Sequence, residues 1–284
     1  MSLKGFDFYS ALLGLLNQIP EGEKASLRDL ALSLGDVKAI SAIRMALDKE
    51  EFSGFKEKIL ETRKSKGLFR GFVTVYPLKR LSMLQKEMST RVQQIDCYRS
   101  TEFIAGVDVS YEGVYAYAAA VTMNRRFEIV DEAVSKTSVC FPYIPSYLAF
   151  REAEPIGLAV KALRNFDILI VNGHGVAHPR GFGLACHIGV ELDKPTIGVA
   201  KSLLIGKTKK VSGDRLVIEN EGKVIGSVIN RERFKPLYVS VGNKVSLESA
   251  SCIVENMLLN GYFPEPLRVS HILATTLKRR DKRN

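Results

Sequence analysis

The sequence predicts a mixed α/β protein preceded by a small helical domain, and three observations carry that prediction. Apolar residues fall at helical spacing through the first 48 positions, the pattern changes to strands and tight turns from Phe103, and helices and strands alternate from Pro155 onward. The 284 residues suffice for two domains, at the usual ~100–200 residues each. A composition 46% hydrophobic and 25% charged is that of a globular protein and excludes collagen-like, coiled-coil and wholly disordered chains.

Phe6, Tyr9, Leu12, Leu13 and Leu16 share one helix face, and the helix stops at Pro20-Glu21-Gly22. No small-residue cleavage site follows, so this opening reads as a helix and not a signal peptide. Ser26 caps a second helix with Leu27, Leu30, Ala31 and Leu34 on one face and Gly35 at its end. Asp36 precedes a third, carrying Ala39, Ile40, Ile43 and Leu47. Two helices joined by Leu34-Gly35-Asp36 form either a helix-turn-helix, which lays its second helix in a DNA major groove, or a plain three-helix bundle. Phe52 to Gly71 carries Lys56, Lys58, Arg63, Lys64, Lys66 and Arg70 and reads as a basic hairpin or wing. Leu78, Leu81, Leu84, Gln85, Met88, Val92 and Ile95 mark one amphipathic helix at the joint between domains 1–78 and 79–284.

Phe103–Tyr111, Val114–Met123 and Phe127–Ser135 read as three strands of an antiparallel meander. Next come a helix over Pro155–Arg164, a strand over Ile168–Val171, a glycine-rich loop, a helix over Ala185–Leu192 and a strand over Thr196–Ala200. Strands near Leu216–Ile218, Val224–Asn230 and Leu237–Val241 precede helices over Leu247–Leu259 and Pro266–Lys278.

Lys and Arg number 41 against 31 Asp and Glu, a net charge of +10 that suits a polyanionic partner. The tail Leu277 to Asn284 concentrates this charge, as a solvated end or as a phosphate contact. Cys97, Cys140, Cys186 and Cys252 stand far apart without a CxxC pair, which implies reduced thiols in a cytoplasmic protein. No apolar run approaches the roughly 18–20 residues of a membrane span.

Asp108 lies within an apolar strand, where a carboxylate must be paired or metal-bound to be buried. Phe141-Pro142-Tyr143-Ile144-Pro145 is a stiff aromatic tip or an ordinary surface turn, and Arg151-Glu152 follows it. Asn172-Gly173-His174-Gly175-Val176-Ala177-His178-Pro179-Arg180 leaves the carboxyl end of a strand, where ligand sites of open α/β sheets gather. Lys201 ends the next strand and should reach the same crevice. Several motifs fail. Pro195 and Ala200 break a phosphate-loop match, Gly173-His174-Gly175 lacks a third glycine, Pro179 opposes a zinc-protease helix, and G-x-S-x-G is absent.

From about Leu78 to Lys278 the chain resembles endonuclease V, a family of inosine-specific repair nucleases. The likeness rests on Ile104 to Tyr111, Pro142 to Pro145 with Phe150-Arg151-Glu152, Gly173 to Arg180, Ile197 to Lys201, and Pro264 to His271. The resemblance implies a ribonuclease-H-like mixed sheet. It also implies cleavage of DNA, or in some members RNA, at the second phosphodiester 3′ to a deaminated base, with Mg²⁺ and possible use of Mn²⁺. On this resemblance Asp108, Asn172 and Glu152 hold the metal and His271 completes the catalytic set. Tyr143, Ile144 and Pro145 form a wedge that fills the gap left by the extruded base, while Leu148, Gly173, His178, Arg180, Gly183 and Lys201 contact the base and strand. Asn172 stands where the family has Asp, so one ligand charge is lost and hard-metal affinity falls with it. Catalysis is then expected to be weak, manganese-dependent or absent. The alternatives are a lesion-binding protein that does not cut and an inosine-specific ribonuclease. Ser146 replaces a usual Gly and Asn243 a common His, changes expected to shift base preference.

Residues 1–78 resemble the DNA-binding winged-helix part of O6-alkylguanine-DNA alkyltransferase, through Leu15 to Glu23, Leu27 to Ala31 and Leu34-Gly35. Leu60-Glu61-Thr62-Arg63 falls where the Pro-Cys-His-Arg centre belongs, so no thiol is present to accept an alkyl group. Ser41 falls at the intercalating arginine's place and Arg44 lies one turn on, which implies DNA binding without alkyl transfer.

Overall fold

The computed structural model describes residues 6–61, 68–213, 215–231, 233–259 and 262–282. It divides into two compact units, Met1–Leu84 with Cys140–Arg151, and Gln85–Val139 with Glu152–Asn284.

In the first unit α1 (Phe8–Leu16) starts at Asp7, whose carboxylate accepts from the Tyr9 N–H. After β1 (Ala25–Ser26), α2 (Leu27–Leu34) is capped by Ser26 Oγ, which accepts from the Asp29 N–H at 3.0 Å. Gly35 ends α2 at φ 107°, and a Cβ there would lie 2.6 Å from the Lys79 backbone N. Conformation and space both select glycine. A 3₁₀ turn (Val37–Ala39) leads into α3 (Ile40–Leu47), and a second 3₁₀ segment (Glu50–Lys58) leads to β2 (Ile59–Leu60), parallel to β1. The start of the expected basic hairpin is therefore helical. Its Arg63, Lys64 and Lys66 lie outside the described residues. The helix α4 (Pro77–Ser89) follows.

Phe8, Leu12, Leu16, Leu30, Leu34, Ile43 and Leu78 make the core of this unit, and Phe141, Ile144 and Tyr147 complete it. The boundary read after residue 78 thus differs from the compact unit, which runs to Leu84 and takes in Cys140–Arg151. Three apolar side chains from that segment bury themselves in the helical core, a long-range contact that local patterning does not reveal.

The second unit begins its sheet with β3 (Ile104–Glu112), β4 (Tyr115–Met123) and β5 (Ile129–Ser138), the expected antiparallel meander. The helix α5 (Ala149–Ala162) begins in the first unit and carries Glu152 into the second. Pro155, read from the sequence as the helix start, lies inside it. Then come β6 (Ile168–Asn172), α6 (Leu184–Leu192), β7 (Thr196–Ala200), β8 (Lys207–Ser212), β9 (Arg215–Asn220), β10 (Lys223–Arg231), β11 (Phe234–Asn243), α7 (Leu247–Asn256) and α8 (Glu265–Asp281).

The nine strands form one mixed sheet in the order β5-β4-β3-β6-β7-β11-β10-β9-β8. Only β3–β6 and β6–β7 pair in parallel among these neighbours. The mixed α/β expectation holds. At the far edge β8 went unread because Lys207 to Ser212 lacks apolar alternation, and its lysines are the kind of residue that discourages edge pairing. No helix among the described residues is long and apolar enough to cross a membrane.

Candidate active site

Side chains alternate along a strand, so Gly106, Asp108 and Ser110 share one face of β3. The helix α8 lies along that face. A Cβ at Gly106 would come 2.4 Å from the Pro266 carbonyl carbon, His271 Nδ1 lies 2.6 Å from Asp108 Oδ2, and Ser110 Oγ lies 3.1 Å from Thr275 Oγ1. The rises match, because four strand residues span about 13 Å and nine helical residues about 13.5 Å. Gly106 thus permits the close approach that brings His271 onto Asp108.

The parallel register places Val171 of β6 opposite Val107, so Asn172 emerges beside Asp108. Its Nδ2 donates to Asp108 Oδ1 at 2.8 Å. Asp108 is 7% exposed, and these two neighbours answer the desolvation cost of its carboxylate. His271 stays largely exposed. Glu152 is engaged by a different residue, with Oε1 accepting from the Tyr111 hydroxyl at 2.8 Å. The structure therefore joins Asp108, Asn172 and His271 and holds Glu152 through Tyr111. Among the described residues no group of three or more His, Cys, Asp or Glu side chains is arranged to hold a metal ion.

The loop after β6 is fastened backbone to backbone. A Cβ at Gly175 would sit 1.9 Å from the Val241 carbonyl oxygen, and one at Gly183 would sit 2.2 Å from that of His174. Gly175 N–H donates to Ser240 Oγ at 2.9 Å and Val176 N–H to the Val241 carbonyl at 2.8 Å. Gly173 packs under Leu184, where an added Cβ would meet Cδ2 at 3.1 Å. Burial pushes His174 down to about 4. His178 is buried, and its Nδ1 accepts the Arg180 backbone N–H at 3.2 Å. The Arg180 guanidinium donates to Gln85 Oε1 at 2.9 Å, while Gln85 Nε2 donates to the Phe182 carbonyl at 3.1 Å. Lys201 leaves the same end of the sheet and places its ammonium 4.4 Å from the Phe263 ring centre.

In the first unit Tyr143 and Pro145 are exposed, but Ile144 is fully buried in the core. Of the three residues expected to form the wedge, Ile144 thus anchors the turn, and Tyr143 and Pro145 form its exposed tip. Leu148 is half-buried. Ser146 sits at φ 68°, the left-handed region that explains a usual glycine, and its Oγ accepts from Lys38 Nζ at 3.1 Å. Ser41 and Arg44 are exposed on α3, and Arg44 pairs with Glu61 at 3.0 Å.

Asn243 pairs with Thr196 at the start of β7, the end opposite Lys201, where it accepts from the Gln93 N–H and donates to the Gly189 carbonyl. A residue so placed fastens that end of the sheet. The sequence alone assigns no tertiary contact to Tyr111, Gln85, Asp36 or Lys38. For Gln85 a signal existed, a polar residue on an apolar helix stripe. For the other three only tertiary contact reveals the role.

A family model described as Endonuclease V matches residues 86–272. The chain is 42% identical to an endonuclease V of Thermofilum pendens, over 72% of this chain and 90% of the relative. It is 33% identical to a bifunctional methyltransferase/endonuclease of Picrophilus torridus, over 98% of this chain and 99% of that protein. The solved structure of Ciona intestinalis endonuclease V, in complex with a 24mer DNA containing an inosine followed by a ribo-adenosine, superimposes with a TM-score of 0.63 at 26% identity, over 72% of this chain and 98% of that one. With the family match spanning most of its length and a 42% identical relative, this chain belongs to the endonuclease V family.

Proposed function

We propose that the protein is a DNA repair endonuclease that cuts the second phosphodiester 3′ to deoxyinosine or another deaminated base, with a divalent cation bound more weakly than a site of three carboxylates would bind it. The observation that carries this reading is the Asp108–Asn172 pair just past the end of the parallel pairing of β3 with β6, with His271 on the other Asp108 oxygen. The Ciona relative's inosine-containing DNA and this chain's net charge of +10 support the substrate class.

The donor chemistry suits Mg²⁺ or Mn²⁺, because Asp108 and Glu152 offer carboxylate oxygens and Asn172 an amide oxygen. Asn172, whose Nδ2 donates to Asp108, offers a neutral oxygen, so only two of these three donors carry charge. Such an ion supplies an activated water and offsets negative charge in the transition state. Asp108 orients the His271 ring through Nδ1, leaving Nε2 to meet a phosphate oxygen. His178, Arg180 and Lys201 flank the strand path, and Gly173 and Gly183 line the base pocket. The rigid Tyr143-Pro145 tip acts as the wedge, since a fixed tip loses little entropy when it replaces an extruded base. Ser41 and Arg44 of α3 bind duplex DNA, in keeping with the full-length bifunctional relative, and the missing thiol leaves this chain without alkyl transfer. Its free cysteines suit a reducing compartment, the cytoplasm.

Nicking of an inosine-containing duplex in Mg²⁺ and in Mn²⁺, by the unaltered chain and by Asn172→Asp, tests the reading. Slow nicking that favours Mn²⁺ and rises at least about ten-fold in Asn172→Asp is expected, since a ten-fold rate change needs only about 1.4 kcal/mol. No nicking by the unaltered chain, with rescue by Asn172→Asp, would overturn cutting in favour of the second reading, lesion binding without cutting, which the Asn172–Asp108 bond favours. Faster cutting of inosine-containing RNA in direct competition would redirect the assignment to a ribonuclease.

A further inference from the structure

We propose that the turn between α2 and α3 positions the lesion-reading tip, with Asp36 and Lys38 as positioning residues that make the helical module part of base recognition. This rests on the reading of Tyr143 and Pro145 as the wedge. The segment that carries the tip belongs to the first compact unit, and its inward residues Phe141, Ile144 and Tyr147 are buried in that unit's core beside Phe8, Leu34 and Leu78. Polar contacts to the turn then set its orientation. The Tyr147 hydroxyl donates to Asp36 Oδ2 at 2.8 Å, with the Leu78 carbonyl a longer 3.3 Å away, and Lys38 Nζ donates to Ser146 Oγ at 3.1 Å.

Asp36 is also tied to its own turn, because Oδ1 accepts from the Lys38 N–H at 3.0 Å. One carboxylate therefore caps the entry to α3 and grips the tip segment at once. From the other side Arg151 Nη1 donates to the Phe141 carbonyl at 2.6 Å, and Phe8 N–H donates to the Cys140 carbonyl at 3.2 Å. The tip is thus clamped at both ends by the unit that presents Ser41 and Arg44, through the side chains of Asp36, Lys38 and Arg151 and the backbone N–H of Phe8, and duplex bound on α3 meets a Tyr143 whose position is already fixed. A rigid recognition element of this kind reads a lesion with less entropy lost on binding than a mobile one. Ser146 shows the same arrangement locally, since its left-handed backbone is held where Lys38 can reach the hydroxyl.

Tyr147→Phe tests the proposal in the full-length protein, because it removes the hydroxyl and keeps the buried ring. Amide hydrogen exchange at Ser146 and Tyr147 should accelerate about three- to ten-fold, the equivalent of one hydrogen bond, with exchange across the sheet unchanged. In EDTA the preference for an inosine-containing over an undamaged duplex should fall by a similar factor, while affinity for the undamaged duplex holds. Lys38→Met should likewise accelerate exchange in the tip, and Lys38→Arg should restore it. Unchanged exchange in both Tyr147→Phe and Lys38→Met, or undiminished inosine preference in Tyr147→Phe, overturns the proposal. An unaltered chain with no inosine preference counts against the functional reading alone, since accelerated exchange would still support the positioning.

Discussion

Two recognition segments of this chain are immobilised by opposite means. The loop 173–183 is held by its backbone, with Gly175 against Val241 and Gly183 against His174 at distances that admit no Cβ. The turn 141–148 is held by its side chains, through the buried Phe141, Ile144 and Tyr147 and the contacts of Tyr147 and Ser146 with Asp36 and Lys38. The difference teaches how each segment can change. Backbone packing tolerates no added atom, so the loop beside Asn172 is all-or-none, whereas side-chain contacts can be removed one at a time and the turn can be adjusted in small steps.

The largest effect should come from Gly175→Ala. The new Cβ would lie 1.9 Å from a carbonyl oxygen on β11, a strand pinned by neighbours on both sides. The expected loss exceeds the about 1–3 kcal/mol of ordinary overpacking. Chemical denaturation, or failure to recover folded protein, reads it. A variant as stable as the parent would break the claim that the loop is locked by its backbone.

Acid should loosen the loop before the turn. His187 on α6 is 1% exposed with its ring against Phe182, and burial pushes it down to about 4. Glu191 lies 3.6 Å away and favours the charged ring, but it is half-exposed, and desolvation prevails. The unfolded chain, with an ordinary histidine near 6.5, takes the proton first. Stability is therefore full above about pH 6.5 and is lost as pH falls toward 4, by about 3 kcal/mol for this one group. His174, shifted the same way by burial, adds to the trend. Melting temperature against pH should be flatter between 4.5 and 7 in His187→Gln, and an unchanged slope would contradict the assignment.

Gln85→Leu should have a smaller effect. It removes two hydrogen bonds from a buried amide, leaves the Phe182 carbonyl without that donor and releases Arg180. A stability loss of about 1–3 kcal/mol is expected, together with weaker DNA binding at undiminished turnover, so that KM rises and kcat holds. A fall in kcat alone would place Arg180 at the reacting phosphate and not along the strand.

What the sequence showed of these segments depended on whether the cause was local. Asp108 and Asn172 were legible because strand alternation and the end of an apolar run are local patterns, and the strand Thr196–Ala200 was read to the residue. His271 was legible only through the family resemblance, since nothing near it in sequence reveals that Gly106 admits α8. The burial of Ile144 was not legible, because two flanking prolines announce a turn without saying which side chain faces inward. The place of Asn243 was not legible either, because its end of the sheet is set by antiparallel register between β7 and β11, a property of two distant segments. The shared core of Phe141, Ile144 and Tyr147 with the first helices was invisible for the same reason.

The smallest predicted effect tests the comparison most closely. Ser146 holds a left-handed backbone at φ 68°, a strain of about 1–3 kcal/mol for a residue with a Cβ. Its hydroxyl bond to Lys38 returns about 0.5–1.5 kcal/mol. Ser146→Gly relieves the first and loses the second, so its stability should lie within about 1 kcal/mol of the parent, on either side. Ser146→Ala keeps the strain and loses the bond, so it should be the least stable of the three by about 1 kcal/mol. Urea midpoints of the three proteins measure this order. An alanine variant equal to the parent would mean that Lys38 contributes nothing to holding the turn, and the side-chain half of the comparison would then rest on the buried Phe141, Ile144 and Tyr147 and the Asp36 contact alone.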